Sequence, residues 1–288
     1  MMGSVKRLRR WQRNLLEALI GVGILFFMLR WFEHSQVYHP DRILRATGAE
    51  LGRPFEEVWF RTGDGLELNG WFFPADTNSP RKSLAVLICH GNGGNISYNL
   101  ELCQVLLGTG ANVLVFDYRG YGKSRGRPSE AGTYEDAQTA YRWLRNKGFA
   151  GRDILAYGES LGGGVASELA LRETLGGLVL QSTFTSIPDI GAELFPWLPT
   201  RWLVRTRYDT VGKLPRLHLP VLVMHSRADE LIRFHHGERI FAAANPPKLF
   251  CEIKGGHNEA LADPGVFVAG LEQFLRLVET AKAEAAAR

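Results

Sequence analysis

Gly158-Glu159-Ser160-Leu161-Gly162 is the stretch on which the reading of this chain turns. Ahead of it, Asp153-Ile154-Leu155-Ala156-Tyr157 is a short apolar run of the kind that forms a buried strand. Behind it, the residues from Gly163 to Leu171 have the composition of a helix. Strand, tight turn and helix, with serine at the apex, is the setting of a nucleophile elbow. The flanking glycines suit it, because a turn this sharp needs unusual backbone angles and brings neighbouring chain close. Such a turn lifts the serine hydroxyl off the sheet and aims the first helical N–H groups at whatever is attached to it. By itself the motif is also compatible with a serine that merely caps the helix. Partners elsewhere in the chain decide between the two.

Working outward, Leu84 to Cys89, Val113 to Phe116, Leu178 to Leu180, Val221 to Met224 and Leu249 to Ile253 are further short apolar runs. Helix-length segments lie near 96–108, 133–147, 160–173, 234–244 and 264–280. This alternation predicts an α/β fold: a mostly parallel central sheet of about eight strands with helices on both faces. Before it, Phe55 to Arg61 and Leu66 to Phe73 flank Thr62-Gly63-Asp64-Gly65, a hairpin signal that adds an antiparallel pair. About forty residues, 183–219, separate Leu180 from Pro220, more than a simple crossover needs. With Phe195-Pro196-Trp197-Leu198-Pro199 and Trp202-Leu203-Val204 they read as a short, partly helical lid with an apolar face, expected to roof the site and select the substrate.

A serine hydroxyl attacks a carbonyl only when a base takes its proton, and the base must itself be oriented. His257, in Lys254-Gly255-Gly256-His257, follows the last strand, and Asp229 follows the strand Val221 to Met224. Both lie past carboxyl ends of strands, as Ser160 does, where ligands of such sheets bind. The order Ser, Asp, His is that of serine hydrolases on this kind of sheet. Glu230 is the fallback acid, with Asp209 and Asp263 less well placed; His225 is read as buried at a strand end, and His235 and His236 as surface or capping residues. Donors for a developing oxyanion are expected from the backbone N–H of Leu161 and from the loop His90-Gly91-Asn92-Gly93-Gly94-Asn95. There Asn92 is the choice and Gly93 the reserve, while His90 reads as an anchor for the loop. None of this chemistry calls for a metal or cofactor.

The net charge of +4 could point to nucleic acid, but residues 1–30 carry a balance of +5 and the remainder −1. The basicity belongs to one end rather than to a domain face, so no nucleic-acid partner is expected. The apolar stretch 15–32 would span roughly 27 Å as a helix, close to the hydrocarbon thickness of a bilayer. It has Trp11 and Trp31 near its ends and no pair of small residues behind it for signal cleavage. The expected organisation is a basic cytoplasmic tail (1–14), a signal anchor (15–32), a linker (33–54), a domain (55–280) on the non-cytoplasmic side, and a tail (281–288). Three cysteines, Cys89, Cys103 and Cys251, are too few for a disulfide framework and read as small core residues.

Taken together, His90-Gly91-Asn92-Gly93-Gly94-Asn95, Asp117-Tyr118-Arg119-Gly120-Tyr121-Gly122-Lys123-Ser124, Arg127-Pro128-Ser129-Glu130, Gly158 to Gly163, the Asp229 segment and Gly256-His257 resemble the α/β-hydrolases. They are most similar to the Bem46-like group related to the α/β-hydrolase domain-containing 13 and 17 proteins, grouped with the serine aminopeptidase-like hydrolases. Gly93 stands where that group commonly has alanine. The resemblance implies hydrolysis of an ester, thioester or amide through an acyl-enzyme, with Asp117 and Arg119 structural. The apolar lid and the anchor lean toward an acyl or lipid-like ester. A serine peptidase or amidase on the same residues, or a catalytically silent, membrane-tethered binding protein, are the alternatives.

Overall fold

The structure, a computed structural model, describes residues 10–286. The chain divides into two compact units, Met1–His39 and Pro40–Arg288. In the first, helix α1 (Arg10–Val37) outruns the expected span at both ends. Its most apolar 18-residue window has a mean hydropathy of 1.9 and no buried residue, which separates it from the core helix of a soluble protein. Residues 1–9 of the basic tail lie outside the described residues.

In the second unit, one sheet of eight strands forms the middle layer. In chain order they are β1 (Glu56–Arg61), β2 (Glu67–Phe73), β3 (Ala85–Cys89), β4 (Asn112–Phe116), β5 (Ile154–Glu159), β6 (Gly177–Gln181), β7 (Val221–Ser226) and β8 (Lys248–Ile253). The spatial order is β8-β7-β6-β5-β3-β4-β2-β1. The hairpin β1–β2 is antiparallel and β2 runs antiparallel to β4; every other pairing is parallel. Strands β3, β4, β6 and β7 are buried at every position, as strands covered on both faces must be. The covering helices include α2 (Leu100–Gly108), α3 (Glu130–Asn146), α4 (Leu161–Arg172), α8 (His235–Ala243) and α9 (Pro264–Ala286). Phe267, Leu271, Phe274 and Val278 recur at helical spacing along α9, and all are buried in the core.

The boundaries differ from expectation in three places. Helix α3 starts at Glu130 because the Ser129 hydroxyl caps it, accepting the N–H of Gly132. Helix α9 runs to Ala286 instead of ending near 280, with Lys282 paired to Asp153. Residues 40–54, expected as linker, belong to the domain. The Asp41 carbonyl accepts the Gly122 N–H, Asn95 Nδ2 donates to the Ile43 carbonyl, and Leu44 and Leu51 pack on the core.

The insertion between β6 and β7 is partly helical, as expected, with α5 (Ile187–Leu194), α6 (Thr200–Leu203) and α7 (Thr210–Lys213). It is tied to three of the covering helices. Asp189 pairs with Arg239 of α8, the Tyr208 and Thr133 hydroxyls share a hydrogen bond of 2.7 Å, and Lys213 pairs with Glu168 of α4 at 3.1 Å. Trp197 and Trp202, part of the apolar composition of this insertion, are exposed.

Candidate active site

Strands β5, β7 and β8 end at one edge of the sheet, and the turns after them carry Ser160, Asp229 and His257. Ser160 sits between β5 and α4 with φ 50° and ψ −115°. Such a conformation costs a non-glycine residue on the order of 1–3 kcal/mol and persists only where its surroundings hold it. Here the Ser160 N–H donates to the Gln181 carbonyl at 3.0 Å, and the Thr183 hydroxyl donates to the Ser160 carbonyl at 2.6 Å. The flanking glycines are required sterically. A Cβ on Gly158 would lie 2.5 Å from the Gly162 carbonyl oxygen, and one on Gly162 would overlap the Cys89 backbone. The Ser160 side chain makes no capping bond to α4. It points away from the helix toward His257.

His257 Nε2 lies 3.1 Å from Ser160 Oγ, and His257 Nδ1 lies 2.9 Å from Asp229 Oδ2. All three residues are buried. Burial pushes the Asp229 carboxyl up, but hydrogen bonds from His257 and from the Ile232 N–H outweigh it and hold it below the usual carboxylate range. An ionised carboxylate only accepts, so the imidazole proton sits on Nδ1 and the Nε2 lone pair faces the serine hydroxyl. Asp229 is fixed in turn: its Oδ1 accepts the N–H groups of Leu231 at 3.0 Å and Ile232 at 2.7 Å.

Glu230, the fallback acid, faces the backbone of the histidine loop. Its Oε2 accepts the His257 N–H at 3.0 Å, so it positions the loop and does not touch the imidazole nitrogens. The loop after β3 lies against the serine: a Cβ on Gly91 would sit 3.7 Å from Ser160 Cβ. Tyr121 holds this loop by donating to the Asn92 carbonyl at 2.8 Å. Among the described residues, neither the Asn92 nor the Leu161 N–H has a protein acceptor.

His90 is buried beneath this loop, its Nδ1 donating to the Gly91 carbonyl at 2.7 Å, and burial lowers its pKa to about 4. Asp117 Oδ1 accepts the Ile96 N–H at 2.9 Å, and burial pushes this carboxyl up to about 8. Arg119 pairs with buried Asp136 at 2.8 Å and with Asp64 of the hairpin turn at 2.8 Å. Asp117 and Arg119 thus hold loops, as expected; the second partner of Arg119 was not foreseen. His225 is buried, as expected, and donates from Nε2 to the Ile232 carbonyl at 2.8 Å.

A cavity of about 520 Å³ opens over Ser160. Asp41, Asn92, Tyr98, Glu159, Leu231 and Asn258 are among its lining residues, and none of 183–219 is. The insertion thus contributes no residue to the wall of this cavity. The lining is mixed, with polar and apolar surface in nearly equal share.

Among the described residues, Glu193, His235 and His236 bring potential metal-ligating atoms within 4.8 Å of one another. His236 is not the surface or capping residue expected; it is fully buried beneath α5. Its Nδ1 accepts the Thr185 N–H at 3.1 Å, and burial lowers its pKa to about 4. The neutral ring's proton therefore sits on Nε2, facing Glu193 Oε1 at 3.1 Å. That nitrogen has no lone pair to offer a cation, so the group reads as a polar tie between α5 and α8.

Comparison with known proteins agrees with this architecture. The family profile described as alpha/beta hydrolase fold matches residues 85–206. An uncharacterised protein of Mycobacterium tuberculosis, Rv2307c, is 37% identical over 276 residues, covering 94% of this chain and 97% of its own length. Protein bem46 of Schizosaccharomyces pombe is 31% identical over 229 residues, covering 76% of each chain. Among solved structures, the Pyrococcus furiosus esterase Pf2001 superposes with a TM-score of 0.69 at 20% identity, covering 83% of this chain and 97% of its own, a likeness of fold. The strand order, the elbow after β5 and these relatives together place the chain in the α/β-hydrolase superfamily, within the group of Bem46-like proteins.

Proposed function

We propose that the protein is a membrane-anchored serine hydrolase that cleaves an ester or thioester through an acyl-enzyme. The observation that carries the reading is the unbroken relay from Ser160 Oγ through His257 to Asp229. Ser160 attacks the substrate carbonyl while His257 Nε2 takes its proton. Asp229 keeps the imidazole proton on Nδ1 and stabilises the imidazolium that forms. The negative charge that develops on the carbonyl oxygen is met by the Leu161 and Asn92 backbone N–H groups, each such donor contributing typically about 3 kcal/mol to lowering the barrier. His257 then protonates the leaving alcohol or thiol. Water, deprotonated by the same imidazole, attacks the acyl-enzyme and releases the acid.

The mixed lining of the cavity is compatible with the acyl or lipid-like ester that the composition of the insertion and the anchor suggest. Helix α1 is the anchor, with the basic tail in the cytoplasm and the domain on the other side. A fluorophosphonate probe tests the chemistry: it labels the full chain at Ser160 and does not label Ser160→Ala. Absence of labelling on folded wild type would show a silent binding protein instead. Protease accessibility tests the anchor: the domain is digested in intact inverted vesicles only after they are opened. Digestion before opening would refute the orientation.

A further inference from the structure

The cavity over Ser160 meets a second cavity of about 540 Å³ across four shared lining residues, Tyr98, Asn99, Glu159 and Asn258. Three carboxylates line the second chamber, Glu101, Glu159 and Glu259, and no lysine or arginine lines either one. Asp41, in the first, is already matched by Arg45 at 3.6 Å. Glu259 accepts the Gly256 N–H at 3.2 Å. Among the described residues, the side chains of Glu101 and Glu159 make no hydrogen bond or ion pair.

The second chamber also holds an unmet donor. Gln181, at the end of β6, stands directly beside Glu159 in the sheet register. It is 2% exposed, and the Tyr157 hydroxyl donates to its Oε1. Gln181 lines the chamber, and its buried Nε2 has no hydrogen-bond partner among the described residues. A buried amide N–H left without an acceptor destabilises the fold unless something else supplies one. Burial also raises the Glu159 carboxyl above its usual range, a penalty that an opposite charge would relieve. Unmatched carboxylates beside an unmet amide donor fit a ligand that carries a positive charge together with an oxygen acceptor.

We propose that the chamber bounded by Glu101, Glu159, Gln181 and Glu259 is a substrate subsite that binds a cationic, ammonium-type group, so that the preferred substrate carries a positive charge near the bond attacked by Ser160. Glu159 supplies the charge closest to the elbow, and Gln181 Nε2 donates to an oxygen of the substrate. The subsite deepens the hydrolase reading and rests on it for its role in turnover.

The test compares isosteric pairs on the full-length protein at low ionic strength. In one pair the charge is in the acyl part: p-nitrophenyl 4-(trimethylammonio)butyrate against p-nitrophenyl 5,5-dimethylhexanoate. In the other it is in the alcohol: choline butyrate against 3,3-dimethylbutyl butyrate. The expected result is a kcat/KM ratio of about tenfold or more in favour of the cation in at least one pair, shrinking as salt is added. Glu159→Gln brings that ratio close to one, and the exposed Glu101→Gln with Glu259→Gln lowers it independently of any effect on the elbow. Calorimetric titration with choline and with 3,3-dimethylbutanol reads the subsite without turnover. No preference for the cation in either readout, or an equal fall for both members of a pair in Glu159→Gln, overturns the subsite. Choline binding that is lost in Glu159→Gln, with no ester cleaved and no phosphonate on Ser160, upholds the subsite and refutes the hydrolase.

Discussion

Asp229→Asn separates orientation from mere proximity in this site. The wild-type carboxylate spends one oxygen on two backbone donors, Leu231 and Ile232, and the other on His257 Nδ1. Asparagine has a single carbonyl oxygen. The two backbone N–H groups claim it, because an amide NH₂ turned toward them would leave three donors facing one another. The NH₂ group then faces His257, and the imidazole must offer Nδ1 as an acceptor. Its proton moves to Nε2 and points at the serine oxygen, where no lone pair remains to receive the hydroxyl proton. The geometry is nearly unchanged, yet the base is in the wrong tautomer. Loss of this kind amounts to roughly 10³–10⁴ in kcat. It corresponds to about 4–5.5 kcal/mol in the barrier. KM should change little, because Asp229 is not among the residues lining the cavity over Ser160. The assay is steady-state hydrolysis of p-nitrophenyl butyrate by the full-length protein in detergent, beside the rate of fluorophosphonate labelling. Glu230→Gln is the matched comparison: its remaining carbonyl can still accept the His257 N–H, so kcat should fall by less than about tenfold. An Asp229→Asn enzyme that keeps a tenth of its kcat, or a Glu230→Gln enzyme that falls as far, would refute the assignment of the acid.

Other expectations concern the frame that holds these groups. Asp117, raised to about 8 by burial, stays protonated in the fold over a range where the unfolded chain has lost that proton. A raised carboxyl pKa means that the folded state binds more protons, so stability falls as pH rises from the unfolded value toward 8, by at most on the order of 3 kcal/mol between pH 5 and 8. Urea midpoints should therefore drop less over that interval in Asp117→Asn than in wild type, and parallel profiles would refute the buried neutral carboxyl. Gly162→Ala forces a Cβ into the Cys89 carbonyl and should lower stability by at least about 3 kcal/mol while abolishing labelling; a folded, labelled variant would refute the steric account of the elbow. Phe274→Ala empties a fully buried position where α9 packs on Gly177 and should cost about 3–5 kcal/mol in urea unfolding, with kcat/KM kept in the folded fraction; a cost under about 1 kcal/mol would show that α9 is not integral to the core.

The parts of the molecule that the sequence makes legible are those governed by local pattern. Fully buried parallel strands need unbroken apolar runs, so Leu84 to Cys89 and Val221 to Met224 announce β3 and β7. The elbow is legible because its glycines are demanded by contacts within a few residues, Gly158 against Gly162. Asp229 and His257 are legible because each follows a strand, and strand ends in a parallel sheet all arrive at one edge. Helix ends are less so: Ser129 as the cap of α3 and the continuation of α9 to Ala286 depend on single hydrogen bonds and ion pairs.

What stays hidden is set by residues distant in sequence. Nothing around Asp41 shows that its carbonyl will accept the Gly122 N–H, which turns an apparent linker into part of the domain. Asp64 reads as a turn residue, and its bond to Arg119 appears only once the hairpin lies beside the loop after β4. The insertion misleads most. Its tryptophans suggest a roof by composition, yet its direction is set by the anchors Asp189, Tyr208 and Lys213, whose partners lie on three helices. None of the insertion lines the cavity over Ser160, and two residues that line the neighbouring chamber are singled out by no motif. Glu159 reads as the variable position of the elbow, and Gln181 as the last residue of a strand. Register alone sets them side by side, since β5 and β6 are parallel neighbours paired Glu159 to Gln181. In the subsite we propose, Glu159 is therefore the residue best placed to choose the substrate: it lies on the strand that leads into Ser160 and lines both cavities.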